Sequence, residues 1–170
     1  MEKVIYIITE VLKIILIILM SLIVIDVSWQ VFTRFILKNP SSFTEELAGF
    51  LLIWIGLLGA SYALYTRSHL GIDLLTAKTT GLKKRLIEII IYCIILLFAL
   101  FILIIGGMRL VNLTFTLNQI SPAIGIPMGY VYLVLPLTGV LMLLYSLANI
   151  LNAIKKKELE TENPQISIVD

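Results

Sequence analysis

Asp26, Gln30 and Arg34 recur at intervals of four in a stretch that is otherwise almost pure hydrocarbon, which sets a carboxylate, an amide and a guanidinium on one helical face. A carboxylate in such surroundings is expensive and marks a candidate functional position. It can take up and release a proton coupled to solute movement, or it can anchor packing by accepting hydrogen bonds from neighbouring helices. Anchoring is the reading adopted, because the same face already supplies an amide and a cation. Past the hydrophilic break Lys38-Asn39-Pro40-Ser41-Ser42 come two adjacent acids, Glu45 and Glu46. Ser42 and Glu45 have the spacing of a capping box, where free amides and the helix dipole favour negative charge. Glu46 points about 100° away from Glu45, so it is left for Arg34 or for a partner subunit.

Other chemistries find little material. His69 is the only histidine, and with Asp73 four residues on it makes an ordinary His-carboxylate contact; two ligands do not make a metal site. Facing histidines for haem are absent, as is a nucleophile with a base or a Gly-rich phosphate cradle, so enzymatic activity has no support. The single Cys93 lies in an apolar run and provides neither a disulfide framework nor a thiolate metal cluster. A net charge of +2 is too small to argue for nucleic acid.

The elements that carry these residues follow from composition. With 59% hydrophobic and only 14% charged residues, the chain departs from the balance of a soluble domain and reads as an all-α integral membrane protein. Residues 1–154 form a four-helix transmembrane domain, with spans at about 14–35, 47–65, 87–111 and 129–150, each close to the roughly 20 residues that cross the hydrocarbon. Before the first span, Val4, Ile5, Ile8, Val11 and Leu12 share one face, which predicts an amphipathic N-terminal extension along the membrane surface. No Ala-x-Ala follows the first apolar run, so the N-terminus is expected to be retained. A short interfacial helix is expected between spans two and three. Residues 155–170 form a polar tail, expected to be poorly ordered from Glu158.

Lys and Arg fix the orientation. Arg67, Lys78, Lys83, Lys84 and Arg85 separate spans two and three, and Lys155, Lys156 and Lys157 follow span four, whereas residues 112–128 contain neither Lys nor Arg. Both termini are therefore expected on the cytoplasmic side. Within the spans, Gly56 and Ala60 form a small-xxx-small pair that admits a close helix neighbour. Pro136 is expected to bend span four near Tyr132. Arg109 is expected to snorkel toward headgroups from the outer end of span three. No pair of spans shares the Gly/Pro interruptions of a transporter built from inverted halves.

Two segments resemble a known family. Ser42-Phe43-Thr44-Glu45-Glu46-Leu47-Ala48, followed by Trp54, Leu58-Gly59-Ala60, His69 and Asp73, is similar to the small membrane subunit of tripartite ATP-independent periplasmic (TRAP) transporters. Gln119-Ile120-Ser121-Pro122-Ala123 with Gly125-Ile126-Pro127, then Tyr132 and Pro136, resembles that family's approach to its last span, and Gln30 and Arg34 fall where it usually has Gln and Arg. Phe43 stands where the family commonly has Trp, and Gly49 where Arg is common.

The resemblance implies a bacterial inner-membrane complex with three parts. A large transmembrane subunit binds Na⁺ and the organic acid, of the C4-dicarboxylate or sialic acid type, and a periplasmic substrate-binding protein delivers it. This chain is then a scaffold without cofactor or substrate of its own. Asp26, Gln30, Arg34, Glu45, Glu46, Gly56, Ala60, His69 and Asp73 are its interface or structural polar positions, and Gln119, Ser121, Pro122 and Pro127 its periplasmic docking surface. Its partners are the large subunit, the binding protein and the lipid bilayer. The alternatives are a self-contained small proton-coupled transporter using Asp26, or a membrane anchor of an unrelated complex.

Overall fold

The computed structural model describes residues 2–38, 41–66 and 82–162, and these are overwhelmingly helical. Helix α1 runs Glu2–Phe35, α2 Ser42–Tyr65 and α3 Leu82–Phe98. A π-helical segment, Ala99–Gly106, joins α3 to α4, Gly107–Thr116. A hairpin then leads to the short α5, Met128–Tyr132, and to α6, Val134–Glu162. The four runs Lys3–Phe35, Ser42–Tyr65, Leu86–Thr116 and Met128–Leu151 are long and apolar enough to cross a membrane, and the four expected spans lie within them. The expected interfacial helix, together with His69 and Asp73, falls outside the described residues.

The N-terminal extension is continuous with the first span. No Gly, Pro or capping residue separates Lys13 from Ile14, so extension and span form one unbroken helix of 34 residues, about 51 Å long at 1.5 Å per residue. Its apolar face packs on the bundle: Leu12 and Thr9 are buried. Thr9 Oγ1 donates to the Ile5 carbonyl at 2.8 Å and lies 3.1 Å from Tyr145 Oη. Since the one hydroxyl proton of Thr9 is used on Ile5, Tyr145 is the donor between the two hydroxyls. Helix α6 continues through Glu162, into the expected tail, whose residues 163–170 lie outside the described residues.

Helix α6 is the centre of the bundle, with α2 on one flank and α3 and the π segment on the other, while α1 lies beyond α2. Val134, Thr138, Tyr145 and Ser146 form its buried stripe at the helical period. Leu58 and Leu64 of α2 and Tyr92, Ala99 and Leu103 of the third span close around that stripe. Because α1 packs principally along α2 alone, most of its apolar side chains, among them Ile18, Val24 and Ile25, point outward, as suits a helix facing hydrocarbon.

Two glycines permit the tight seam between α6 and the third span. A Cβ on Gly139 would stand 2.9 Å from Leu103 Cβ and 3.1 Å from the Ile104 backbone nitrogen; one on Gly107 would stand 2.9 Å from Leu135 Cβ and 3.2 Å from the Pro136 nitrogen. Both clashes involve atoms that cannot swing away. In the π segment the Gly107 amide reaches back five residues to the Ile102 carbonyl, a wider turn than the α-helix makes. Pro136 acts as expected: it has no amide to give to the Tyr132 carbonyl, and the span is interrupted at Leu133 between α5 and α6.

Gly139→Val should therefore lower the stability of the isolated chain in detergent by about 1–3 kcal/mol, the range for overpacking a close contact. Gly56→Val, where an added Cβ meets nothing within 4 Å, should leave the same melting transition in place. Thermal unfolding of both variants followed by circular dichroism checks the contrast.

Candidate functional site

The hairpin between α4 and α5 is built by its own backbone. Helix α4 ends because Asn118 adopts the left-handed conformation, φ 48°, which asparagine tolerates better than most residues. The Asn118 amide then donates to the Phe115 carbonyl and the Gln119 amide to the Thr114 carbonyl, both at 3.1 Å, so the last carbonyls of the helix are satisfied. Ile120 and Pro127 pair as an isolated bridge, the Met128 amide donates to the Gln119 carbonyl at 2.9 Å, and the Ser121 amide donates to the Ile126 carbonyl at 2.9 Å. Gly125, at φ 77°, supplies the positive dihedral that lets its amide turn back to the Ser121 carbonyl at 3.0 Å.

At the tip of this hairpin the amides of Ala123 and Ile124 converge on Glu46. They donate to a single carboxylate oxygen, Oε2, at 2.8 and 3.0 Å. Ser121 Oγ stands beside Glu46 and accepts the Ile124 amide at 3.2 Å. Successive amides aimed at one point make a small anion-binding nest, and the anion here belongs to the chain itself. Eight residues further along α2, Trp54 Nε1 donates to the Val131 carbonyl of α5 at 3.1 Å. Helix α2 thus fastens the hairpin at Glu46 and the following helix at Trp54.

The expected ion pair between Glu46 and Arg34 does not form. Arg34 is exposed, and among the described residues the ion pair present is Lys13 to Glu10 at 3.5 Å. Glu46 instead uses amides already fixed by the hairpin, which need no long side chain to be immobilised. The capping box also shifts by one residue. Ser41 is the N-cap of α2, its hydroxyl oxygen accepting the Thr44 amide at 3.5 Å while Thr44 Oγ1 donates to the Ser41 carbonyl at 3.0 Å. Either serine of the Ser41-Ser42 pair is chemically a cap, and capping by Ser41 puts a hydroxyl, Thr44, where the box would place Glu45. Glu45 remains exposed in the first turn.

Of the docking positions, Gln119, Pro122 and Pro127 are exposed on the hairpin, but Ser121 is only 2% exposed. Its hydroxyl is directed inward to Glu46 and Ile124, so it shapes the surface without belonging to it. Ala60 packs against the core, whereas Gly56 is exposed with no neighbour at its Cα. The stripe on α1 grades from buried Asp26 through half-buried Gln30 to exposed Arg34. Asp26 lies beside a cleft of about 350 Å³ between α1 and α2, and its Oδ2 is buried with no hydrogen-bond partner. Arg109 is exposed on α4, which makes no substantial contact with α1. The Ala123 and Ile124 amides and the Trp54 bond escape a reading of side-chain types; the signal for the first is Ser121-Pro122, a turn opening that leaves the following amides free.

The description "Tripartite ATP-independent periplasmic transporters, DctQ component" matches residues 22–156, which include both α2 fastenings. The chain belongs to this family. It is a multi-pass membrane component of a transporter, not an enzyme. The sialic acid TRAP transporter small permease protein SiaQ of Vibrio cholerae is 30% identical over 149 residues, covering 88% of this chain and 84% of that protein. The C4-dicarboxylate TRAP transporter small permease protein DctQ of Rhodobacter capsulatus is 30% identical over 98 residues, 58% of this chain and 43% of that one. The sialic acid TRAP transporter permease protein SiaT of Haemophilus influenzae is 28% identical over 119 residues, 67% of this chain but 18% of that protein.

In this small permease, Glu46→Ala should leave the Ala123 and Ile124 amides without acceptors and loosen the hairpin. Hydrogen exchange in detergent should speed up at residues 119–126 in Glu46→Ala, rise less in Glu46→Gln, which keeps a neutral acceptor, and stay unchanged in Arg34→Ala. Faster exchange in Arg34→Ala would restore the ion pair that the structure lacks.

Proposed function

We propose that this chain is a non-substrate-binding scaffold subunit of a Na⁺-coupled secondary transporter for organic acids, of the sialic acid or C4-dicarboxylate type, in a bacterial inner membrane. It braces a large membrane subunit, which holds Na⁺ and substrate, and helps to dock a periplasmic substrate-binding protein. The observation that carries this reading is where the polar atoms go. Glu46, Trp54, Thr9 and Tyr145 are spent on tying helices of the same chain together, and the outward flanks of α1 and α2 are left apolar, with Gly49 and Gly56 open to close approach. A carrier would direct such groups toward a solute.

The relatives support the division of labour. The region of SiaT similar to this chain is 18% of a much longer permease, so in that protein this bundle is joined to far more chain than it contains; here the corresponding part would be a separate large subunit. Orientation follows from charge and geometry together. The start of α2 and the α4–α5 hairpin meet at one end through Glu46, while Lys83, Lys84 and Arg85 belong to the first turn of α3 and Lys155 to Lys157 to the last turns of α6. The basic end and both termini are then cytoplasmic, and Gln119, Pro122 and Pro127 face the periplasm.

Reconstituted alone in liposomes, the chain should take up neither sialic acid nor a C4-dicarboxylate under a Na⁺ gradient; with the large subunit and the binding protein present, one of them should accumulate. Uptake by the chain alone would make it a carrier and end the scaffold reading. Gly56→Leu should reduce co-purification of the large subunit several-fold without altering the melting of the isolated chain, since it fills a face that only a partner helix would use.

A further inference from the structure

Asp26 is a buried polar residue of α1 that its own helix does not serve. Ser21, Ser28 and Thr33 each donate a hydroxyl proton to a carbonyl three or four residues back, at 2.8, 2.6 and 3.0 Å. An ionised carboxylate has no proton to give, and the amides of a helix interior are committed to its own carbonyls. Asp26 is 8% exposed, with Oδ2 buried and unpartnered. Among the described residues no Lys or Arg makes an ion pair with it, and Lys38, beyond the end of α1, is exposed. Arg34 is eight residues on and exposed, Lys13 is engaged with Glu10, α2 contains no Lys or Arg, and Arg109 lies on a helix that does not pack on α1.

The cleft beside Asp26, about 350 Å³, has apolar walls from Leu22, Phe43, Leu47 and Leu51, with Trp29 at its side. Of its two hydroxyls, Thr44 Oγ1 donates to the Ser41 carbonyl and Ser41 Oγ accepts the Thr44 amide at the start of α2. The charged acceptor in the cleft is the carboxylate. We infer that this cleft seats a lysine or arginine carried by a membrane helix of the large subunit, its aliphatic stem against the apolar walls and its charge on Asp26. The inference rests on the reading that the chain assembles with such a subunit. A long basic side chain matches both parts of the cleft, hydrocarbon along its length and one negative charge within it. Charges inside a membrane protein persist where they are paired within protein. A lipid headgroup fits less well, because Asp26 lies nine residues before the end of α1, about 13 Å from it along the axis at 1.5 Å per residue. A partner helix can reach the cleft, since α1 packs principally on α2 and its other flank is open.

The test uses the complete chain co-purified with its large subunit in detergent. Asp26→Asn, which keeps the shape and removes the charge, should weaken the complex at least about tenfold without shifting the melting transition of the isolated chain. Neutralising one particular Lys or Arg of the large subunit should weaken it comparably, and combining the two changes should cost little more than either alone. An Asp26→Asn complex as tight as wild type would mean a carboxyl kept neutral, and the inference would fail. So would a weakened complex in which no single basic residue of the large subunit couples to Asp26. If the wild-type chain does not co-purify with a large subunit at all, the assembly reading falls and takes this inference with it; loss of the coupling alone removes only the inference.

Discussion

Hydrocarbon offers no water to a polar atom, so each donor and acceptor within it must be satisfied by protein. Several hydroxyls meet the requirement locally, by donating back to their own helix, whereas Thr138 Oγ1 and Ser146 Oγ are buried without a partner. Carboxylates cannot donate in this way, and the architecture of the hairpin end of the bundle follows from where Glu46 found its donors. Two amides of the hairpin point at one oxygen, so the start of α2, the turn at Ser121-Pro122 and the approach to α5 are held as one unit. The hairpin's internal hydrogen bonds would shape it without Glu46, but they would not fix where it sits.

The inner organisation rests on close packing, which in a membrane must supply what the hydrophobic effect supplies in water. Gly107 and Gly139 remove two side chains from the seam between α6 and the third span, and backbone meets backbone there. The wide turns of the π segment lie along this seam, against α6. The bundle is consequently uneven: α2, α3 and α6 form a packed group, and α1 is attached to it through α2 and the Thr9 to Tyr145 bond. That unevenness leaves one flank of α1 available to something outside the chain.

Features set by local composition were legible in the sequence. Four apolar runs of spanning length have no competing interpretation, and Pro136 breaks its helix because the missing amide is a property of one residue. The family was legible for a related reason, since the Phe43 to Ala48 and Gln119 to Pro127 segments are short and distinctive. Features set by contacts between distant residues were not. Glu46 and Ala123 are 77 positions apart, and nothing in either segment favours that pairing over an Arg34 pairing much nearer in sequence. The N-cap went astray by one residue because Ser41 and Ser42 are equally able to cap, and only the burial of Thr44 distinguishes them. The π segment, Ala99 to Gly106, is uniformly apolar and so carries no periodicity from which its wider turn could be read.

In the proposed reading, the two carboxylates on either side of the α1–α2 connection have opposite assignments, and their surroundings explain the difference. Glu46 sits in the first turn and a half of α2, where a loop can fold over it, and the loop that does so brings rigid amides. Asp26 sits nine residues before the end of α1, on a helix that packs principally on α2 alone, and no loop amide reaches its buried oxygen. A carboxylate in the first position completes the fold; one in the second has to be completed from outside. The same helix that secures the hairpin through Glu46 also forms one wall of the Asp26 cleft through Phe43, Leu47 and Leu51. A partner helix seated in that cleft would therefore bear on the element that positions the hairpin, and binding at the lateral face and the setting of the periplasmic surface would share α2 as their common mechanical part.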